Sequence, residues 1–196
     1  MDLADDYKQR QKEWRDISIT QLSNANNILL TFSSAFLAIC FEKKKLQDLH
    51  IATRETLDWT MILYLFYLFL ICFSIFCGLC LLITRLYDFR VSRHILFTRL
   101  RYTKKHKGNP LPNTENDNSL ARHPLTLVYH ILFRTLPFMS KHDIESKLEI
   151  NEIHKKFKIL KTLSTKLGQS TWIFFKYQFC SFFICIFIYI IYTLMN

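Results

Sequence analysis

Charged residues are distributed along this chain so as to leave three long stretches with none at all. Ile17–Phe41, Trp59–Thr84 and Tyr177–Asn196 contain no Asp, Glu, Lys or Arg. Each is at least as long as the roughly 20 residues that a helix needs to cross a hydrocarbon core about 30 Å thick. A buried core helix of a water-soluble protein would be shorter and would carry a polar face. The pattern predicts an all-α membrane protein with three transmembrane helices, joined by amphipathic helices on the cytoplasmic side.

The polar segments add further helices to this frame. Before the first span, Leu3, Tyr7, Trp14 and Ile17 recur at spacings compatible with one helical face, while Asp5, Asp6, Lys8, Lys12 and Glu13 fall elsewhere. Beyond the second span, Leu86, Phe89, Leu96 and Leu100 keep a helical spacing with arginines between them, so the helix is predicted to run on past Arg85 as a stalk. Arg85 and Asp88, three residues apart, are placed to pair. Residues 103–124 gather Gly, Pro, Asn and Lys without apolar periodicity and read as a loop. Leu125–Met139 is apolar but too short to span and includes His130, Arg134 and Pro137. It fits a helix lying at the membrane interface, with a re-entrant segment as the alternative. From Lys141 to Ser170, Ile150, Ile153, Phe157, Leu160 and Leu167 follow three- and four-residue steps, interrupted by Ser164. That face suits packing on the stalk and the N-terminal helix, or a coiled coil with another subunit. The resulting organisation is residues 1–102 (N-terminal helix, hairpin of spans, stalk), 103–170 (cytoplasmic loop and helices) and 171–196 (third span).

Composition sharpens the picture in two ways. Half of the 196 residues are hydrophobic and 15% aromatic, while the mean hydropathy is only +0.08 because the polar half averages the spans away. With three Gly and four Pro, the chain lacks the interrupted spans that expose backbone to substrate in many transporters. All six cysteines lie in or at the apolar runs and read as small packing groups. Cys77 and Cys80 make a CxxC, but without a second pair or polar neighbours it is not read as a metal site. The N-terminus, MDLADDYKQRQKEWRD, lacks the design of a cleavable signal peptide, so the first span is expected to be an uncleaved signal-anchor.

Charge suggests an orientation. Between Arg85 and Ser170 there are seventeen Lys or Arg and seven Asp or Glu, a net +10 equal to the whole chain's formal charge. Basic residues are retained on the cytoplasmic side. The expected location is therefore the cell inner membrane, with the N-terminus cytoplasmic and the C-terminus outside. The basic segment has three readings: retention and attraction to anionic membrane lipid, docking of an acidic cytoplasmic protein partner, and contact with nucleic acid. No nucleic-acid-binding module is recognisable, so direct nucleic acid contact is not expected. Arg90, Arg93, Lys155, Lys156, Lys158 and Lys161 are the candidate docking residues.

The first span is the least apolar, and its cytoplasmic half reads SITQLSNANN. Gln21, Asn24, Asn26 and Asn27 need hydrogen-bond partners at that depth. Ser34 and Ala38 form a small-xxx-small pair in the first span, and Ser74 and Gly78 form another in the second. Such pairs let helix backbones approach closely. These eight residues are candidates for packing within the chain or for contacts in a homo-oligomer, with pore lining a further role for the amides. Six of the seven histidines lie in the basic segment, none at metal-ligand spacing. There is no phosphate-binding loop, no nucleophile elbow and no carboxylate pair within a span. Neither enzymatic activity nor a cofactor is expected.

An N-terminal helix entering a span (WRDISITQLSNANN), a short outer loop, a second span and a basic cytoplasmic helix (LITRLYDFRVSRH) resembles the small membrane components of bacterial anti-phage defence systems. The closest analogy is with two-span effectors of the SLATT type. The resemblance covers about residues 5–102, is architectural and assigns no functional residue. It implies a protein that permeabilises the membrane when triggered, or one that senses the membrane and holds a cytoplasmic partner. A membrane anchor or scaffold that recruits a soluble partner without transport is the alternative.

Overall fold

The computed structural model describes residues 3–43, 52–53, 56–57, 59–105, 123–133, 138 and 150–195. Among them are four helices: α1 (Leu3–Lys43), α2 (Trp59–Lys105), α3 (Pro124–Phe133) and α4 (Ile150–Met195). Three are long and apolar enough to cross a membrane, over Ile19–Glu42, Met61–Arg99 and Asn151–Leu194. α2 and α4 have 47 and 46 residues, more than twice what one crossing needs. The predicted continuation past Arg85 is therefore present. The helix expected over 141–170 and the third span are one unbroken helix from Ile150, since neither Gly168 nor the polar Gln169–Ser170 step ends it. Between α1 and α2 a hairpin of two-residue strands pairs Ala52 with Leu57 and Thr53 with Thr56. Residues 106–122, 134–137 and 139–149 lie outside the described residues, and with them Arg134, Pro137 and most of the predicted loop.

The chain divides into two compact units. The first holds residues 1–78 and 175–196. Its core contains Leu29 and Cys40 from α1, Met61, Tyr64, Tyr67 and Ile71 from α2, and Phe182 and Cys185 from α4. Aromatic edges lock it together. Tyr67 meets Tyr64 at 5.1 Å and Tyr189 at 5.6 Å, and Phe36 meets Tyr189 at 4.8 Å, each near perpendicular. Such pairs contribute about 0.5–1.5 kcal/mol each beyond their area. The Tyr64 hydroxyl also donates to the Cys40 carbonyl at 3.4 Å, so all three helices are tied together at this level.

The second unit holds residues 79–174. Val91, Ile95 and Tyr102 of α2, Leu127 and Ile131 of α3, and Ile153, Phe157, Leu160, Leu163 and Leu167 of α4 form its core. Ile153, Phe157, Leu160 and Leu167 belong to the stripe the spacing predicts, and Leu163 joins them. On α2 the buried face is set by Val91, Ile95, Thr98 and Tyr102. Leu86, Phe89 and Leu96, which share the other helical register, are instead 67, 71 and 66% exposed. Residues 125–133 of the predicted 125–139 helix lie in α3, begun by Pro124, whose fixed φ suits the first turn. The His123 carbonyl accepts from the Leu127 N–H at 3.1 Å and from the Thr126 hydroxyl at 2.7 Å, closing that turn.

Candidate functional site

The polar residues of the first span divide among the faces of α1. At about 100° per residue, Leu22, Asn26, Leu29, Ser33 and Cys40 fall on one side, and all are buried. Ile28, Phe32 and Ile39 form an exposed apolar arc. A third arc carries Thr20, Asn24, Asn27, Thr31, Ser34 and Ala38, all exposed. Its steps are four, three, four, three and four residues, the spacing of a helix–helix seam. Two of its hydroxyls are satisfied locally: Thr20 Oγ1 donates to the Asp16 carbonyl and Thr31 Oγ1 to the Asn27 carbonyl, each at 2.9 Å. One side of a helix long and apolar enough to span a bilayer thus has carboxamides and small residues where lipid would favour hydrocarbon.

The candidate residues therefore separate. Gln21 is exposed near the apolar arc, and Asn24, Asn27, Ser34 and Ala38 lie on the polar arc. Asn26 is fully buried. The Ser34/Ala38 pair makes no close approach inside the unit; the neighbouring Ser33 does, because one residue of offset turns a side chain by about 100°. Ser33 Oγ lies 3.4 Å from Ser74 Oγ, and the Ser74 hydroxyl donates to the Gln178 carbonyl at 3.2 Å. Gly78, one turn from Ser74, lies at a close helix approach. A Cβ added there would lie 2.6 Å from Leu30 Cδ2 and 2.7 Å from Gln178 Nε2. The Ser74/Gly78 pair thus packs inside the unit. Gln178, which the sequence reading did not single out, meets it from α4.

In the second unit Arg90, Arg93 and Lys155 are exposed, while Lys156, Lys158 and Lys161 are half-buried. The Arg90 guanidinium stands 5.2 Å from the centre of the Phe138 ring, and that of Arg99 5.4 Å from Phe157. Cation–π contacts of this kind hold the charges over apolar groups without removing them from water. His94 packs edge-on to Phe138 at 4.9 Å. Asp88 carries the acidic charge among these groups on α2, and its Oδ1 accepts from Ser164 Oγ at 2.8 Å and Ser92 Oγ at 3.5 Å. Ser164 and Ser92 are themselves 3.1 Å apart. Tyr102 and His154 Nε2 make a further polar contact at 3.3 Å. The six cysteines are all free. Among the described residues no group of three His, Cys, Asp or Glu is disposed to hold a metal ion.

No protein-family model, curated protein or solved structure matches this chain.

Proposed function

We propose that the protein is an inner-membrane homo-oligomer that senses or disrupts the bilayer and engages a cytoplasmic partner, as an effector of antiviral defence does. The observation that carries this reading is the exposed polar arc of α1, with Asn24, Asn27, Thr31, Ser34 and Ala38 at seam spacing. Carboxamides gain little from acyl chains, whereas the same arc on a second copy offers both donors and acceptors to them. Small residues at Ser34 and Ala38 permit the close approach such contacts need. A ring of copies meeting in this way would line its centre with hydroxyls and amides, which hydrate readily and so lower the barrier to ions.

The basic second unit supplies the other half of the reading. With the N-terminus cytoplasmic and the C-terminus outside, its lysines and arginines face the cytoplasm and receive an acidic protein or anionic lipid. The scaffold alternative draws on a separate observation, the exposed Leu86, Phe89 and Leu96 bordered by Arg90 and Arg93. Such a surface suits an apolar and acidic protein helix whether or not the spans conduct.

Conductance separates the two. The full chain reconstituted in planar bilayers is expected to pass ions, and Asn24→Leu with Asn27→Leu to reduce that current at equal protein density. Silent wild-type bilayers at the same protein density would remove the membrane-breaching reading and leave the scaffold.

A further inference from the structure

The inner face of α1 poses a separate problem. Asn26 and Gln178 are each 0% exposed. Nδ2 and Oδ1 of Asn26, and Nε2 and Oε1 of Gln178, have no protein hydrogen-bond partner among the described residues. All four atoms belong to the first unit. Desolvating such an amide without a partner is costly, and hydrocarbon offers nothing in return.

The surroundings place the two amides in one seam. Gln178 Nε2 reaches over Gly78 beside Leu30, since both approach within 2.7 Å of where a Cβ on that glycine would be. Asn26 lies one helical turn from Leu30, about 6 Å along α1, on the same buried side as Ser33. Ser33, Ser74 and the Gln178 main-chain carbonyl continue the polar line through their mutual contacts.

The donor set defines the guest. Two carboxamides and two hydroxyls bring both N–H or O–H donors and oxygen acceptors, with no formal charge. A cation would leave the amide N–H groups facing a like-signed charge, and an anion would leave the amide oxygens facing one. Neutral molecules that both donate and accept suit both kinds of group. Water is the smallest, and a buried water typically makes about three hydrogen bonds to groups of this kind. We propose that Asn26 and Gln178, with Ser33 and Ser74, form a water-binding site embedded between α1, α2 and α4. The site lies across α1 from the polar arc, so it stands or falls independently of the oligomer.

Water-edited solid-state NMR tests this on the full chain in lipid vesicles, with carboxamide nitrogens and isoleucine methyl carbons labelled. Polarisation from water is expected to reach the Asn26 and Gln178 amides within about twofold of the build-up time at exposed Gln169, as for groups in direct contact with water. Build-up as slow as at the buried Ile71 methyls would overturn the site and indicate a dry amide pair. In Asn26→Leu, transfer to Gln178 should slow severalfold if the water is shared. Undiminished transfer there would overturn the shared site. The wild-type comparison holds whether or not the variant inserts.

Discussion

Ser164 donates its hydroxyl to Asp88 Oδ1 across 2.8 Å, joining α4 to α2 at the one position where the α4 apolar stripe is interrupted. The serine that looks like a flaw in the periodicity is the partner that the carboxylate needs. Ser164→Ala should destabilise the folded chain by about 1–3 kcal/mol, because it strips a donor from a part-buried carboxylate. Ser92→Ala should cost less, as its contact with the same oxygen is 3.5 Å. Chemical denaturation in detergent checks both. Equal losses would mean that the 2.8 Å contact does not dominate.

Gly78→Ala tests the close helix approach at that glycine. The new methyl would meet Leu30 Cδ2 and Gln178 Nε2, both borne by packed helices, so overpacking should cost about 1–3 kcal/mol. Ala at the exposed Ser34 position changes nothing inside the unit and serves as the control. A Gly78→Ala protein as stable as the parent would show that α1 or α4 shifts freely there.

Neutralising Lys155, Lys156, Lys158 and Lys161 together should weaken association with anionic vesicles or an acidic partner and remove much of its salt sensitivity, since exposed charges are screened over about 8 Å at physiological ionic strength. The buried Ile153, Phe157 and Leu160 are untouched, so folding should persist. A reporter fused after Asn196 and another inserted at residue 114 check orientation in the same variant. Undiminished, salt-sensitive binding with normal insertion would place docking on another surface.

The three long apolar helices and the α4 stripe were legible because charge is excluded from the spans and because Ile153, Phe157, Leu160 and Leu167 contrast with lysines around them. The faces of α1 were not legible. In water, apolar residues mark the buried side of a helix; between lipid and protein both sides are apolar, and that contrast vanishes. SNANN puts amides at 24, 26 and 27, and consecutive residues point about 100° apart. Only packing shows that Asn26 turns inward while Asn24 and Asn27 turn out. Ser33 and Ser34 differ in the same way. Gln178 was hidden beside Lys176 at the start of the third apolar run, and the register of α2 past Arg85 allowed two faces, of which the one with Val91 and Ile95 is buried.

The central claim is that copies meet through the polar arc of α1. Single cysteines at Ser34 or Ala38, compared with Phe32 or Ile39 on the apolar arc, test it by oxidative crosslinking in native membranes, scored above the background of the native thiols. The arc predicts disulfide-linked dimers from Ser34→Cys and Ala38→Cys and little gain from Phe32→Cys and Ile39→Cys. Crosslinking as strong from Phe32→Cys and Ile39→Cys, or monomer alone from Ser34→Cys and Ala38→Cys, would contradict it.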